Sequence, residues 1–259
     1  MNTDRKITII SNRRKRILQV NKILGIHMRR KHADVYMSDG EVIETRTTYK
    51  EFEELLGNGF IEIRRGSLVS AIAIHDVTET VNLNNGVMLK YTVSRKKEIE
   101  TRLYQQRRYV INQFPVEGIP RTEEEYCKYY SGFENLPVAF TDIEMIFDDE
   151  CRAVDWVFRY GNQALADLEN VPLDKLIGRT FGNIFPNMDE KWLRSYERAV
   201  LFGETLGMNE YSPEVDKYLN ILCFPTFAGH CGCILIDISK VQHIKNMDHP
   251  ENIIKIIKK

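Results

Sequence analysis

The chain has 259 residues, 43% hydrophobic and 28% charged, with a formal net charge of -1, which is room for two ordinary domains in a soluble globular protein. No run of about 18 apolar residues occurs, so no membrane span is expected, and residues 1–16 lack the apolar stretch and small-residue site of a secretory signal. The near-zero total hides an asymmetry: residues 1–110 hold 21 Lys and Arg against 13 Asp and Glu, a net of +8, and residues 111–259 hold 15 against 24, a net of -9. Such a division predicts two domains with different partners, the basic one facing a polyanion. Five cysteines, Cys127, Cys151, Cys223, Cys231 and Cys233, are odd in number and lack CxxC spacing. That argues against a disulfide framework or a zinc site and fits a reducing cytoplasm. Cys231 and Cys233 fall on one face of a strand and read as buried small hydrophobes.

In chain order, Ile23-Leu24-Gly25-Ile26 opens a strand, and Val35 and Met37 alternate with polar neighbours in the next. Ser38-Asp39-Gly40 turns into Val42 and Ile43, because Asp-Gly tolerates the positive φ of a tight hairpin turn. Thr48 and Glu51 have capping-box spacing, Phe52, Leu55 and Leu56 form one stripe, and Gly57 is a stop, which together predict a helix. Phe60, Ile61 and Ile63 resume a strand, residues 71–83 read as another, and Asn85-Gly86 turns into a strand over 87–93. With one helix of any length, a helix-turn-helix is excluded. Arg13-Arg14-Lys15-Arg16 fits equally a phosphate-binding arm or the charged edge of a small sheet.

These residues carry a family resemblance. Residues 17–99 resemble the LytTR-type DNA-binding domain, a mostly β output module of bacterial response regulators, through "VNKILGIHMRRKHADVYMSDGEVIETRTTYKEFEELL", "FIEIRRGSLVSAI" and "NNGVMLKYTVSRKKEI". Members read DNA with loops. The resemblance therefore implies that Arg29, Arg30, Lys31 and His32 enter a major groove, that Arg64, Arg65 and Ser67 form a second contact, and that Arg95 with Lys96 reaches a base edge or phosphate. The chemistry agrees, since Arg bridges guanine O6 and N7 while Lys and Ser suit phosphates. Arg64 stands where the family usually has His, Ser67 replaces an aromatic residue, and Gly66 is unusual; these departures bear on which operator is read.

Beyond Ser94 the period changes. Ile99, Leu103, Gln106 and Val110 fall at helical spacing, predicting an amphipathic helix of about 15 residues that ends near Gln113-Phe114-Pro115. Its stripe either packs on its own domain or forms a short seam between two chains. Thr122 and Glu125 predict a capped helix over 122–130. A strand, a turn over Asp148-Asp149-Glu150 and a strand over 154–160 follow, then short helices near Ala164 and Leu176, a helix over 191–202, and strands over 218–224 and 231–236. That order reads as α+β with a sheet covered on one face.

Residues 133–239 resemble a PAS domain through Asn135-Leu136-Pro137, Tyr160-Gly161-Asn162-Gln163-Ala164, "LIGRTFGNIFP" and Asp237-Ile238-Ser239. The flavin-binding Asn-Cys-Arg-Phe-Leu-Gln motif is absent, and no His lies between His75 and His230 to hold a haem. No cofactor is assigned. Trp156, Phe158 and Tyr160 alternate onto one face, as pocket lining or core. No nucleophile–base grouping, phosphate loop or receiver-like phosphoacceptor region is found, so no enzyme is expected.

The expected organisation is a mostly β LytTR-like domain over 1–98, a connecting helix and linker over 99–121, an α+β PAS-like sensor or dimerisation domain over 122–240, and a helical tail over 241–259. The expected protein is a cytoplasmic bacterial transcription regulator that binds double-stranded DNA as a homodimer. Its PAS half answers a small molecule or partner protein. The competing reading is a PAS-based signalling adaptor whose basic half binds an acidic protein; RNA binding is weaker, as no stacking pair of aromatics stands out.

Overall fold

A computed structural model of the protein describes residues 5–83, 86–115, 117–185 and 190–239, which divide into two units, Met1–Asn112 and Gln113–Lys259. The tail expected over 241–259 and Asn85 of the expected Asn85-Gly86 turn lie outside the described residues.

The first unit opens on a hairpin, β1 (Lys6–Ser11) and β2 (Arg14–Gln19). Then come β3 (Ile23–Met28), β4 (Ala33–Met37), β5 (Val42–Thr45), α1 (Tyr49–Leu56), β6 (Phe60–Arg64), β7 (Ser67–Ser70), β8 (Ile74–Val77), β9 (Val81–Leu83), β10 (Met88–Leu89) and α2 (Lys96–Asn112). A five-stranded antiparallel sheet runs β5-β4-β3-β7-β6, beside a small β10-β9-β8 sheet. The α1 capping box is formed: Glu51 N donates to Thr48 Oγ1 at 3.3 Å, and Thr48 N donates to Glu51 Oε2 at 2.6 Å.

Alternation along the strands divides the apolar residues into two cores. Phe52 and Leu56 of α1 cover one face with Ile7, Ile9, Leu18, Ile26, Val35 and Ile43. Ile61, Ile63 and Val69 point the other way and join Ile74, Val81 and Leu83 with Ile99 and Leu103 of α2. Burying such side chains stabilises by about 1.5–3 kcal/mol each. Because Ile99 is 0% and Leu103 8% exposed, the first half of the helical stripe packs on its own domain.

Three expectations change. The β1–β2 hairpin precedes what was read as the first strand. Residues 71–83 break into two strands, because Ala71–Ala73 coil into a 3-10 turn and Thr78 N donates to Thr80 O at 2.9 Å. Of residues 87–93 only Met88–Leu89 pair as strand, since Thr92 N is held by Ile63 O at 3.0 Å and Val93–Arg95 form a 3-10 turn.

The second unit comprises α3 (Glu123–Tyr129), β11 (Ala139–Phe147), β12 (Ala153–Gly161), α4 (Gln163–Glu169), α5 (Leu173–Leu176), α6 (Phe181–Ile184), α7 (Glu190–Phe202), β13 (Leu206–Ser212), β14 (Lys217–Pro225) and β15 (His230–Asp237). Its antiparallel sheet has the order β12-β11-β15-β14-β13. Helices α4 to α7 bury one face around Trp156, Leu165, Leu176 and Tyr196. Asn162 joins these layers: its carbonyl accepts from Phe140 N and Leu165 N, capping α4, and its amide donates to Phe133 O and Val138 O. Gly161 sits beside it in close contact: a Cβ there would lie 2.6 Å from Leu165 Cδ2 and displace that buried side chain.

The expectation of one covered face is corrected. Tyr126 and Tyr130, at α3, pack on the opposite face with Phe140 and Tyr160. The common face for Trp156, Phe158 and Tyr160 is corrected too. Asp142 pairs with Tyr160 but Ile143 with Phe158, so a β-bulge inserts Arg159 and turns Tyr160 to the α3 side.

Candidate nucleic-acid interface

Strands β3 and β4 end on the pair Met28↔Ala33, leaving Arg29-Arg30-Lys31-His32 as the connecting loop. Arg29 N donates to His32 O at 2.6 Å, closing it. The Arg29 guanidinium meets Asp34 at 2.6 Å, with Asp34 almost fully enclosed, so this arginine braces the loop base. His32 Nδ1 lies 3.4 Å from Glu44. Arg30 and Lys31 are exposed at the tip.

The β6–β7 turn meets this loop directly. Met28 N donates to Gly66 O at 2.7 Å. Gly66 has φ 73°, and a Cβ there would lie 3.1 Å from Met28 Cβ. The positive φ favours glycine, and any larger residue would need Met28 to give way, so glycine suits a turn set against the end of β3. This accounts for the glycine that looked unusual in the sequence, and it sets exposed Arg64 and Arg65 beside the Arg29–His32 loop residues.

Ser67 is 5% exposed, and its hydroxyl meets His27 Nδ1 at 2.8 Å and Arg64 Nε at 3.1 Å. It lies beneath Arg64 and orients it. Burial, and then the Arg64 charge, hold the His27 imidazole below its ordinary 6.5. Arg95 is also engaged: its Nε and Nη2 donate to the two oxygens of Glu98 at 3.0 Å each, and its Nη1 to Glu62. The Glu98 bonds first, followed by the Glu62 bond, raise its pKa further. Glu62 also accepts from Gly66 N at 3.3 Å, so one carboxylate ties the start of α2 to the β6–β7 turn. Lys96 lies 3.9 Å from Glu100 one helical turn on.

The residues named from the sequence thus gather at one edge, with Arg30, Lys31, Arg64 and Arg65 presented outward and Ser67 and Arg95 braced behind them. Sequence reasoning missed His27, Asp34 and Glu62. Their signal was alternation: each is a polar residue inside an apolar strand, flanked by residues that enter a core.

In the second unit a cavity of about 30 Å³ lies between sheet and helices, lined by Trp156, Phe158, Glu169, Tyr196 and Glu214 among others. That is room for about two waters. Burial, and then the Glu214 charge, push Glu169 up to about 7. Cys223, Cys231 and Cys233 are enclosed in the same core. The Cys231 hydrogen bond first, then burial, raise the Cys223 thiol, as expected of inert packing groups. Among the described residues no His, Cys, Asp and Glu group is placed to hold a metal, and no helix is long and apolar enough to cross a membrane.

Among solved structures, the LytTr DNA-binding domain of a methyl-accepting/DNA response regulator from Bacillus cereus is similar at 17% identity and TM-score 0.34, covering 39% of this chain and 97% of that one. The PAS domain of an HTR-like protein from Haloarcula marismortui is similar at 13% and 0.32, covering 45% and 100%. A domain of a sensory box sensor histidine kinase/response regulator from Geobacter sulfurreducens gives 15% and 0.31, covering 44% and 94%. No curated protein matches the chain. The family comparison matches residues 13–104, β2 to the first half of α2, and on it the chain carries a LytTr DNA-binding domain.

Proposed function

We propose that the protein is a cytoplasmic, bacterial, sequence-specific transcription regulator. Its first unit binds double-stranded DNA through the edge formed by residues 29–32 and 64–65, and its second, PAS-like unit senses a small molecule or partner protein, joins two copies, or does both. The observation that carries the reading is that the LytTr match spans the two adjoining basic turns, joined at Met28 and Gly66. Arg30 and Lys31 then serve the phosphates, and Arg64 and Arg65 reach base edges, with Arg64 steered by Ser67. Lys96 adds to the contact from the start of α2, and Arg95 joins it only by exchanging a Glu62 or Glu98 bond for DNA. The PAS-like role is supported by the β12-β11-β15-β14-β13 sheet with α4 to α7 on one face and α3 on the other. It is supported further by Asn162, whose four hydrogen bonds give the Tyr160-Gly161-Asn162-Gln163-Ala164 segment a structural reason.

Selecting bound duplexes from a random pool and titrating the winner against salt tests the reading. Neutralising Arg30 and Lys31 is expected to lower the slope of log K against log salt by about 0.9 for each phosphate no longer neutralised. Arg65→Ala is expected to cost about 1–3 kcal/mol and relax preference at one base pair. No enrichment of any duplex, or wild-type affinity in all three changes, would refute it.

A further inference from the structure

The N-terminal hairpin is anchored to the core of the first unit. Ile7, Ile9 and Leu18 are buried in the α1 core. Arg5 donates to Leu55 O at 2.7 Å and Leu56 O at 3.3 Å at the end of α1, and Thr45 Oγ1 donates to Ile10 O at 2.7 Å. Within the basic run the residues part company. Arg16 is held by Glu41 through bonds of 2.8 and 3.0 Å, a charged pair at a sheet edge, whereas Arg13 sits at the tip, exposed.

The tip is unusual. Ser11 pairs with Arg14, leaving a two-residue turn with φ of 50° at Asn12 and 62° at Arg13. A tight hairpin turn needs both positive values, which Asn tolerates, but the second position favours glycine. An arginine there carries backbone strain that glycine would relieve, and such strain is characteristic of positions held for function. Asn12 and Arg13 share an open cleft of about 270 Å³ with His32, Glu44 and Arg46. Arg46 is exposed as well. Two guanidiniums against one carboxylate leave the cleft positive, and Glu44 is already turned to His32 at 3.4 Å. The family match begins at residue 13, so strand β1 lies outside it while the tip arginine and β2 lie within it.

We propose that this cleft, between the β1–β2 turn and the residue 29–32 loop, grips the sugar-phosphate backbone of double-stranded DNA, with Arg13 and Arg46 as phosphate contacts. The inference rests on the DNA-binding reading of the first unit. His32 belongs both to the loop expected in the groove and to the cleft wall, so a duplex engaged by that loop passes its flanking phosphates over the hairpin tip. An anchored hairpin places a cation there without ordering a loose arm on binding.

The test titrates the full chain with a labelled duplex of about 30 base pairs of arbitrary sequence over about a decade of salt, since phosphate contacts need no cognate site. Variants are R13Q/R46Q, R13G alone, and K128Q/K175Q as a charge-matched control in the second unit. Without its two guanidiniums, R13Q/R46Q is expected to show a salt slope smaller by about 1.8, equivalent to about 60-fold over one decade of salt. R13G is expected to show about half of that reduction while melting no lower than wild type, which separates the missing cation from impaired folding. K128Q/K175Q is expected to bind as wild type does. Wild-type binding together with unchanged slopes in R13Q/R46Q and R13G would overturn the inference alone. A wild-type chain that ignores the duplex would overturn the DNA-binding reading itself. Polyglutamate competing as strongly per charge as the duplex would reassign the cleft to an acidic protein.

Discussion

Asp142 is fully enclosed on the α3 side of the second sheet, yet its oxygens meet Tyr130 Oη at 2.7 Å, His230 Nδ1 at 2.7 Å and the Thr226 hydroxyl. Burial first, and the Asp142 charge second, push the Tyr130 phenol up, so it stays a donor. Asp142→Ala leaves several polar groups without their acceptor and is expected to destabilise the unit by about 3–5 kcal/mol, read by urea unfolding; a loss under about 1 kcal/mol would remove this network from any structural role. His27 has the opposite sense. Its folded pKa lies below 6.5, so its contribution is intact above that value and declines as pH falls through it toward the folded pKa. The first unit is expected to lose stability in that window, and His27→Gln to flatten the loss. A melting profile with the same pH slope in both proteins would contradict this.

At the scale of elements, the sequence made legible those whose signal is local. The α1 and α3 capping boxes, the Asp39-Gly40 turn and the α2 period all needed only neighbours within four residues. What stayed hidden depends on distant partners. The hairpin Ile7 and Ile9 alternate correctly, but the basic run that follows them fits an arm and a sheet edge equally until Leu18 and the α1 core are seen. Tyr160 follows the period-2 rule until a bulge at Arg159 breaks it, and a bulge belongs to the pairing with β11. The site divided likewise. Its outward arginines were readable as charge in loops, whereas the roles of Ser67 and Gly66 exist only because β3 and the β6–β7 turn meet at Met28. Gly66→Ala tests that junction. Positive φ and a 3.1 Å approach predict a cost of about 1–2 kcal/mol or more. Displacement should be concentrated at Met28 and residues 64–67, visible as amide shifts and as weaker duplex binding. Undisturbed amides there would mean that the turn does not need its glycine.

For the whole molecule, the proposed control turns on α2, which lies within the first unit. Its first half is anchored there, because Ile99 and Leu103 complete a core with Ile61 and Ile63. A fragment ending at residue 98 is therefore expected to melt far below one ending at 112, by circular dichroism, since two core side chains at about 2–5 kcal/mol each are missing; equal melting points would show that the helix is dispensable to the fold. Its second half is less committed, with Tyr109 65% exposed. If the second unit governs DNA binding, as proposed, this anchored helix and the segment that follows it are the covalent route for its signal. A signal changes DNA affinity only by its differential affinity for two states, and a useful one needs about 1–3 kcal/mol of coupling, with operator DNA altering signal affinity by the same factor. Inserting two residues after Gln106 leaves Ile99 and Leu103 seated and turns everything beyond by about 200° at 3.6 residues per turn. The expected result is intact DNA binding by the first unit with its response to the second abolished. Regulation that survives the rotation would mean that the helix transmits nothing and that the second unit only brings two copies together.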